Sequence, residues 1–254
     1  MRRRSLLVVA TALLCTLWLS SPVAAQATNR DLIDGLNFQL LYVALPLSLF
    51  VLIILVYAAV TFHDNDDPRP TTEDPALEIT WTAATAIILL FVGVSGYSVL
   101  VSPYVSPAQP TDFAGDEAER GLESLPDTDD EEVRVLAYRW GWEATYPDAN
   151  VTTRDEIVVP VDEDVTIWLT SDDVIHSLFV SDLGIKQDAF PNEYTRIRTH
   201  VYEPGEYDAT CTEFCGAGHS RMRATVVALE PEEYEQWLEE NADSANATAP
   251  SVSG

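Results

Sequence analysis

Two long uncharged segments constrain the fold of this chain more than any other feature of its sequence. One is FQLLYVALPLSLFVLIILVYAAVTF, residues 38–62, and the other is ITWTAATAIILLFVGVSGYSVLV, residues 79–101. A helix of about 20 apolar residues crosses the hydrocarbon core of a bilayer. Buried helices of a soluble core are the alternative, which the length of each segment and its lack of charge disfavour. Transmembrane helices are therefore predicted at 38–62 and 77–101, joined by a cytoplasmic loop at 63–76.

The N-terminus, MRRRSLLVVATALLCTLWLSSPVAAQA, has the pattern of a secretory signal. It has a basic start, an apolar run and the small residues V-A-A before Gln26. Residues 1–25 are predicted to be a signal peptide cleaved after Ala25, with an uncleaved anchor as the alternative, and Cys15 belongs to this leader. Residues 26–37 then form an exported N-terminal segment. Two crossings return the chain to the outer side, so its C-terminal part is predicted to be extracytoplasmic.

Residues 102–131 form a linker rich in proline and acidic residues, and the pattern changes beyond it. Short alternating or apolar segments separated by turn residues, among them the Pro-Gly pair at 204–205, are typical of strands. About 100 residues of such strands, at 132–230, predict a β-sandwich or Greek-key barrel. EEYEQWLEENA predicts one short helix, followed by a disordered tail, within 231–254. The predicted fold class is an N-terminal two-helix transmembrane hairpin followed by an all-β extracytoplasmic domain.

The chain carries 41 acidic against 14 basic side chains, a net charge of -27, and Lys186 is its only lysine. Nucleic acid is not expected as a partner, because phosphate binding needs a basic surface. The acidic residues are scattered along the chain, which favours a surface hydrated at very high salt. An acidic face that docks a basic partner is the alternative. The composition therefore predicts a halophile as the source, such as a halophilic archaeon.

The stretch CTEFCGAGHSRM, residues 211–222, concentrates the candidate chemistry of the β-domain. It contains both cysteines outside the leader, one of four histidines and the only methionine besides Met1. Thiolate and thioether are soft ligands and imidazole is intermediate, so the combination favours copper over hard cations. Gly216 and Gly218 allow the loop to fold its ligands back onto one point. His176, at the edge of a predicted strand in SDDVIHSLFV, can supply a second imidazole.

Four kinds of site are compatible with these residues. A disulfide between Cys211 and Cys215 leaves His219 and Met222 unexplained. A structural zinc site of both cysteines with His176 and His219 fits tetrahedral chemistry but has no use for the methionine. A mononuclear blue copper centre uses two histidines, one cysteine and a weak methionine, which leaves a cysteine idle. Two copper ions bridged by two thiolates would use both cysteines, both histidines and the methionine as ligands.

The stretch C-T-E-F-C-G-A-G-H-S-R-M resembles the signature of the binuclear copper centre CuA in subunit II of the cytochrome c oxidases, within the haem–copper superfamily. The resemblance extends through both predicted spans and the β-domain, and it weakens in the linker and tail. It implies a cupredoxin-like (Greek-key) fold for residues 132–230. It also implies that the chain accepts electrons for a respiratory terminal oxidase. Haem then lies only in the partner subunit, where oxygen is reduced to water.

The same resemblance implies a set of six copper ligands: His176, Cys211, Glu213, Cys215, His219 and Met222. In that set the two cysteines bridge both copper ions and each histidine caps one of them. The methionine supplies a thioether, and the glutamate supplies its backbone carbonyl. The side chain of Glu213 is implied to help bind a magnesium or manganese ion that is shared with subunit I.

Three further segments match that family. In YRWGW, Trp140 holds the position at which electrons enter from the donor, although a role in sheet packing is the alternative. In LEITW, Glu78 holds a position at the inner mouth of a proton path, with helix capping as the alternative. In LGIKQDAFP, Asp188 is expected on the docking face, together with the pair Asp172–Asp173. His63 and His200 are expected to be ordinary polar residues.

Two departures from the family pattern are Arg139, where glutamine is usual, and Thr85, where proline is usual. Arg139 leaves the donor open between cytochrome c and a halocyanin-like blue copper protein. The other expected partners are the lipid bilayer of the cell membrane, the catalytic subunit I, without which the chain is inactive, and subunit III. Nitrous oxide reductase has a similar motif, but there it accompanies a large propeller domain. A membrane-anchored mononuclear copper-binding or copper-delivery protein is the remaining alternative.

Overall fold

The computed structural model describes residues 25–65, 72–107, 125 and 128–252. The predicted signal peptide, apart from Ala25, and most of the predicted linker lie outside these residues. The helices within them are α1 (Thr28–Phe62), α2 (Pro75–Leu100) and α3 (Pro231–Glu240). The strands are β1 (Glu131–Tyr138), β2 (Gly141–Tyr146), β3 (Val151–Arg154), β4 (Glu156–Pro160), β5 (Asp164–Ser171), β6 (His176–Val180), β7 (Ile185–Ala189), β8 (Thr195–His200), β9 (Gly205–Cys211) and β10 (Arg223–Leu229).

Helices α1 and α2 form an apolar hairpin. Both are long and apolar enough to cross a membrane, and the most apolar stretch of each is almost entirely exposed. So large an apolar surface is stable in lipid rather than in water. Helix α1 begins ahead of the apolar run at Phe38, so most of the expected exported segment 26–37 is helical. Because a helix can continue beyond the bilayer, the limits 38–62 and 77–101 stay predictions for the membrane boundaries.

The start of α2 is determined by a capping aspartate. Asp74 Oδ1 accepts hydrogen bonds from the backbone N–H groups of Ala76 (3.1 Å) and Leu77 (3.2 Å), and Pro75 occupies the first helical position. Asp74 thus satisfies two of the free N–H groups at the helix N-terminus, and Pro75 has no N–H group that needs a partner. Glu78 lies in the same first turn with an exposed side chain. The cap is therefore Asp74, and a role for Glu78 in a proton path stays a prediction.

The β-domain is a sandwich of two five-stranded sheets, with strand orders β3-β2-β1-β5-β8 and β4-β10-β9-β6-β7. Each sheet contains one parallel pair, β1 with β5 and β4 with β10. Alternate residues of β1, namely Val133, Val135 and Ala137, are buried in a core that includes Trp142 of β2 and Leu178 of β6. This alternation places one face of each strand inside the sandwich. The predicted all-β domain is confirmed.

The segment ahead of α1 pairs with the sandwich. Ala27 is fully buried and forms an isolated antiparallel bridge with Val201. Gly184, in the turn between β6 and β7, has a φ of +68°, and a Cβ atom there would lie 2.8 Å from the Cα atom of Arg30. Glycine therefore permits both the turn and the close approach of α1. These contacts fix the start of α1 against the sandwich.

A cluster of charged side chains holds β5 and β8 to the two ends of the linker. The Arg198 guanidinium donates to both carboxylate oxygens of Asp130 (2.8 Å each) and to Asp164 (2.8 Å). Tyr104, which follows α2, donates its hydroxyl to Asp164 (2.7 Å), and His200 Nδ1 lies 3.1 Å from the same carboxylate. The hydrogen bonds from Arg198 lower the pKa of Asp130 although burial opposes this. His200 thus has the structural partner expected of an ordinary polar residue.

The segment after α3 packs on the sandwich, and the disordered tail expected there was a wrong prediction for the described residues. The Trp237 ring lies 5.0 Å from the Tyr146 ring, between centroids, and its Nε1 donates to Thr248 O (2.9 Å). Ala247 is buried and forms a parallel bridge with Thr153 of the edge strand β3. An edge strand offers free backbone groups for such pairing. Trp237 and the edge of β3 therefore order this segment.

We expect Gly184→Ala to lower the free energy of unfolding by at least about 1–2 kcal/mol, which an L-residue costs at positive φ even without a clash. Gly205→Ala is the matched control, because a Cβ there would meet its nearest atom at 3.6 Å, an ordinary contact. Urea unfolding of the detergent-solubilised chain, followed by tryptophan fluorescence, measures both variants. Equal stability of the two would contradict the close packing of α1 on the turn.

We expect Asp130→Asn to destabilise the domain by about 1.5–3 kcal/mol at neutral pH, the usual range for hydrogen bonds to a charged group. The lowered pKa of Asp130 means that its contribution is present above about pH 4, the ordinary value, and is lost as the pH falls through the folded-state pKa. The difference between wild type and variant in urea unfolding should therefore shrink on acidification. Asp208→Asn, at an exposed position of β9, is the charge-matched control. A difference that does not change with pH would contradict the ion pair.

Candidate metal centre

Strand pairing brings three parts of the chain together at one end of the central strands of the second sheet. β6, which begins at His176, lies beside β9, which ends at Cys211. The Cys211 N–H donates to Met222 O (3.1 Å), and this bond closes the loop between β9 and β10. Gly216 has a φ of +113°, which reverses the chain, and a short 3₁₀ turn follows at His219–Arg221. The loop therefore folds back over the start of β6.

The two cysteine sulfurs and one imidazole face a common point. Cys211 Sγ lies 3.9 Å from Cys215 Sγ and 3.9 Å from His176 Nδ1. Metal–sulfur bonds are about 2.3 Å and metal–nitrogen bonds about 2.0 Å long, so these atoms can bind a shared ion. Both cysteines are free, and their sulfurs are too far apart for the disulfide weighed above.

The remaining predicted ligands lie around the same sulfurs. His219 Nδ1 is 3.6 Å and Met222 Sδ is 3.7 Å from Cys215 Sγ. Met222 Sδ is also 3.1 Å from His176 Nδ1. The backbone oxygen of Glu213 lies 3.3 Å from Cys211 Sγ, while its side chain is exposed. Each imidazole thus lies beside a different cysteine, and all six predicted donor atoms meet in one place.

Burial and donor chemistry together fit a soft metal ion. His176 is fully buried, and Met222, Cys215 and Cys211 are nearly so. Burial, and then the neighbouring Cys211, raises the pKa of the Cys215 thiol to about 11. Two adjacent thiolates in such surroundings need a positive charge between them, which a bound metal ion supplies. Two thiolates, two imidazoles and a thioether suit copper better than a hard cation.

A second layer of contacts orients His176. Its Nε2 donates to Asp173 Oδ1 (2.9 Å), which leaves Nδ1 facing the sulfurs. A carboxylate in this position is the usual partner of a metal-binding histidine. Arg139 donates to the other oxygen of Asp173 from Nε (2.7 Å) and from its backbone N–H (3.0 Å). Burial alone would raise the pKa of Asp173, but the hydrogen bonds from His176 and Arg139 bring it well below its usual range.

The acidic residues expected on a docking face differ in what they contact. The Asp173 carboxylate is hydrogen-bonded to its internal partners His176 and Arg139. It is therefore less available to an electron-donor protein than expected. Asp172 is exposed, and Asp188 lies 3.3 Å from the Lys186 ammonium. The role of the acidic residues in docking stays a prediction. Sequence reasoning missed the partnership of Asp173, although its position three residues before His176 was a usable signal.

Two aromatic residues border the loop at the surface. Trp140 is 43% exposed, and its Nε1 donates to Cys215 O (3.2 Å). Its ring rests on Gly218, where a Cβ atom would lie 2.3 Å from the indole Cδ2. Phe214 is 77% exposed with its ring centroid 5.8 Å from that of His219. Phe214 was not singled out from the sequence, where its place between the two cysteines was the only indication.

Glu78 and His63 lie on the helical hairpin and not in this cluster. His63 follows α1 and its Nε2 is 2.8 Å from a carboxylate oxygen of Asp64, as expected of an ordinary polar residue.

Trp142 is buried, with its ring in an edge contact with His176 at 6.1 Å between centroids. Trp142 therefore belongs to the core, and it also supports His176.

Two family descriptions match this chain. The transmembrane domain of cytochrome c oxidase subunit II matches residues 15–99, and the periplasmic domain of the same subunit matches residues 148–229. The first match covers both helices of the hairpin. The second covers the strands and the loop that carry the candidate ligands. Both parts of the architecture therefore point to the same family.

Named relatives agree with these matches. Cytochrome c oxidase subunit 2 of Thermostichus vulcanus is 31% identical over 222 residues, which cover 74% of this chain and 67% of the relative. Cytochrome c oxidase subunit 2 of Synechocystis is 29% identical over 271 residues, which cover 91% of this chain and 77% of that relative. Among solved structures, the periplasmic domain of subunit II of cytochrome oxidase from Bradyrhizobium japonicum is 25% identical, with a TM-score of 0.44, and covers 48% of this chain and 99% of that domain. On the sequence matches, this chain belongs to the cytochrome c oxidase subunit II family.

Proposed function

We propose that the loop between β9 and β10 holds a binuclear copper centre, through which electrons enter the oxidase. As a member of its family, the chain is a membrane protein with two spans and a periplasmic C-terminal domain. It accepts electrons for a haem–copper oxidase complex, and subunit I is its partner. To this we add the copper-binding residues, the number of copper ions and the identity of the electron donor.

One observation carries this proposal: two buried sulfurs, 3.9 Å apart, each have a separate imidazole beside them. A mononuclear blue copper centre or a structural zinc ion would leave one of the soft ligands without a role. A copper-delivery protein would need its metal accessible for transfer, whereas Cys211, Cys215, His176 and Met222 are all buried. Copper bound here would supply one-electron redox chemistry. The binuclear arrangement is therefore preferred.

The residues of this chain would serve that chemistry by holding the ligands still. Burial excludes water from both sulfurs, and the sheet fixes His176 and Cys211 at paired strand ends. Little rearrangement on gain or loss of an electron favours rapid transfer. Trp140 is exposed on one side and hydrogen-bonded to Cys215 O on the other. We assign to it the position at which electrons enter.

The remaining parts of the proposal concern partners and further ions. The donor is cytochrome c or a halocyanin-like blue copper protein, and subunit III accompanies subunit I, which holds the haem. The exposed side chain of Glu213 is free to bind magnesium or manganese at the contact with subunit I. Glu78 serves the proton path. The large excess of acid over lysine supports a halophilic source.

The number of copper ions tests this function directly. We expect two copper ions per full-length chain in detergent after copper loading and removal of loosely bound metal, measured by elemental analysis. Cys215→Ser should reduce this to one or none, because it removes a bridging thiolate. Ser220→Ala, an exposed residue of the same loop, is the control and should keep both ions. One copper in the wild type, or two in Cys215→Ser, would contradict the proposal.

Gly218→Ala tests the role of Trp140. The added Cβ would displace the indole, so we expect reduction of the copper centre by its donor to slow about 10–100-fold, as small displacements at reacting groups do. Copper content should not change, because Gly218 supplies no ligand. Stopped-flow absorbance of the assembled oxidase measures the rate, with Ala217→Ser as the control. An unchanged rate despite a displaced indole would exclude Trp140 from the path.

A further inference from the structure

We propose that Arg139 is a positioning residue for His176, that it acts through Asp173, and that its charge helps to set the reduction potential of the copper centre. This inference rests on the proposed function, since it concerns a ligand of that centre. No contact between Arg139 and the ligands themselves is needed.

The Asp173 carboxylate is divided between two partners. Its Oδ2 accepts from Arg139 twice, from Nε at 2.7 Å and from the backbone N–H at 3.0 Å. Its Oδ1 accepts from His176 Nε2 at 2.9 Å and from the Val174 N–H at 2.6 Å. A carboxylate held at both oxygens has little freedom to rotate. The imidazole orientation therefore depends on a group that Arg139 holds in place.

The loop that carries Asp173 is anchored to the same strand end as Arg139. The Asp172 N–H donates to Ala137 O (3.0 Å) in β1, two residues before Arg139. Ser171, at the end of β5, accepts from the Asp173 N–H through its Oγ (3.3 Å). β1 and β5 are paired in parallel up to this point. Arg139 and Asp173 are thus fixed by the sheet and not by a chance surface contact.

His176 has few other ways to be oriented. The ring is fully buried, with the edge of Trp142 against it and Met222 Sδ 3.1 Å from Nδ1. Asp173 is the polar partner that the structure gives to Nε2 in the described part of the chain. A ring confined in this way transmits a shift of Asp173 directly to the metal-facing Nδ1. The position of Nδ1 is therefore sensitive to Arg139.

Charge gives the direction of the effect on the reduction potential. A carboxylate one hydrogen bond from a metal-bound imidazole stabilises the oxidised centre, which is the more positive form. The adjacent Arg139 guanidinium offsets that negative charge. Removal of Arg139 should therefore favour the oxidised form and lower the potential, and removal of the Asp173 charge should raise it. The charges concerned are the Arg139 guanidinium and the charge that the centre gains on reduction. At an intermediate dielectric, the Coulomb energy between two such unit charges corresponds to about a three- to tenfold change in the reduction equilibrium.

The test uses the full copper-loaded chain in detergent and titrates its one-electron reduction against redox mediators, which act as the electron donors. We expect Arg139→Gln to shift the reduction equilibrium about three- to tenfold toward the oxidised form. It keeps the backbone N–H bond to Asp173, so the loop should stay attached. Arg139→Lys keeps the charge and should restore most of the potential. Arg154→Gln removes an exposed guanidinium of β3 whose ion-pair partner is Glu143 and not Asp173, and it is the charge control.

A double-mutant cycle shows whether Arg139 acts through Asp173. In the Asp173→Asn background, Arg139→Gln should leave the histidine nitrogen coupling unchanged, because the carboxylate through which Arg139 positions His176 is gone. The direct Coulomb part of the shift in potential should remain. Electron paramagnetic resonance of each variant should show altered nitrogen coupling from one histidine in Arg139→Gln and none in Arg154→Gln. Equal potentials for wild type and Arg139→Gln, or the same change in nitrogen coupling in both backgrounds, would overturn the inference. If the wild type itself forms no copper centre, the proposed function fails first, and that outcome is visible before any variant is compared.

Discussion

The pairing of β6 with β9 is the interaction on which the rest of the site depends. It places His176 beside Cys211, although the two residues are 35 positions apart in the chain. Backbone hydrogen bonds set this register, and a slip by one residue would turn the ligands to the opposite face of the sheet. The loop from Cys211 to Met222 then needs only to close on itself. A β-sandwich thus supplies a rigid frame for ligands that chain proximity alone could not bring together.

The β-sandwich also contacts both ends of the helical hairpin, at the start of α1 and just after α2. Asn29, near the start of α1, is 3% exposed and donates from Nδ2 to Arg198 O and to Tyr104 O, which follows α2. Arg198 in turn holds Asp130 and Asp164 of the sandwich. These contacts lie among β5, β8 and the helix ends, away from the ligand loop. They orient the domain on its membrane anchor without involving the ligands.

Much of this architecture could be predicted from local patterns. The uncharged runs gave the hairpin, alternation gave the strands, and the soft donors of the ligand loop pointed to copper. Contacts between distant segments could not be predicted in this way. Asp173 was expected at a docking face, because its partner Arg139 lies 34 residues away and no local pattern indicates that contact. The ordered tail depends on Trp237 and the free edge of β3, and neither is visible as a local pattern.

The central claim is that one unpaired electron is shared between two copper ions held by Cys211 and Cys215. Electron paramagnetic resonance of the copper-loaded, partly reduced full-length chain tests this most directly. The account predicts hyperfine splitting from two equivalent copper nuclei, a delocalised mixed-valence signal. The ordinary four-line splitting of a single copper nucleus, at any degree of reduction, would contradict it.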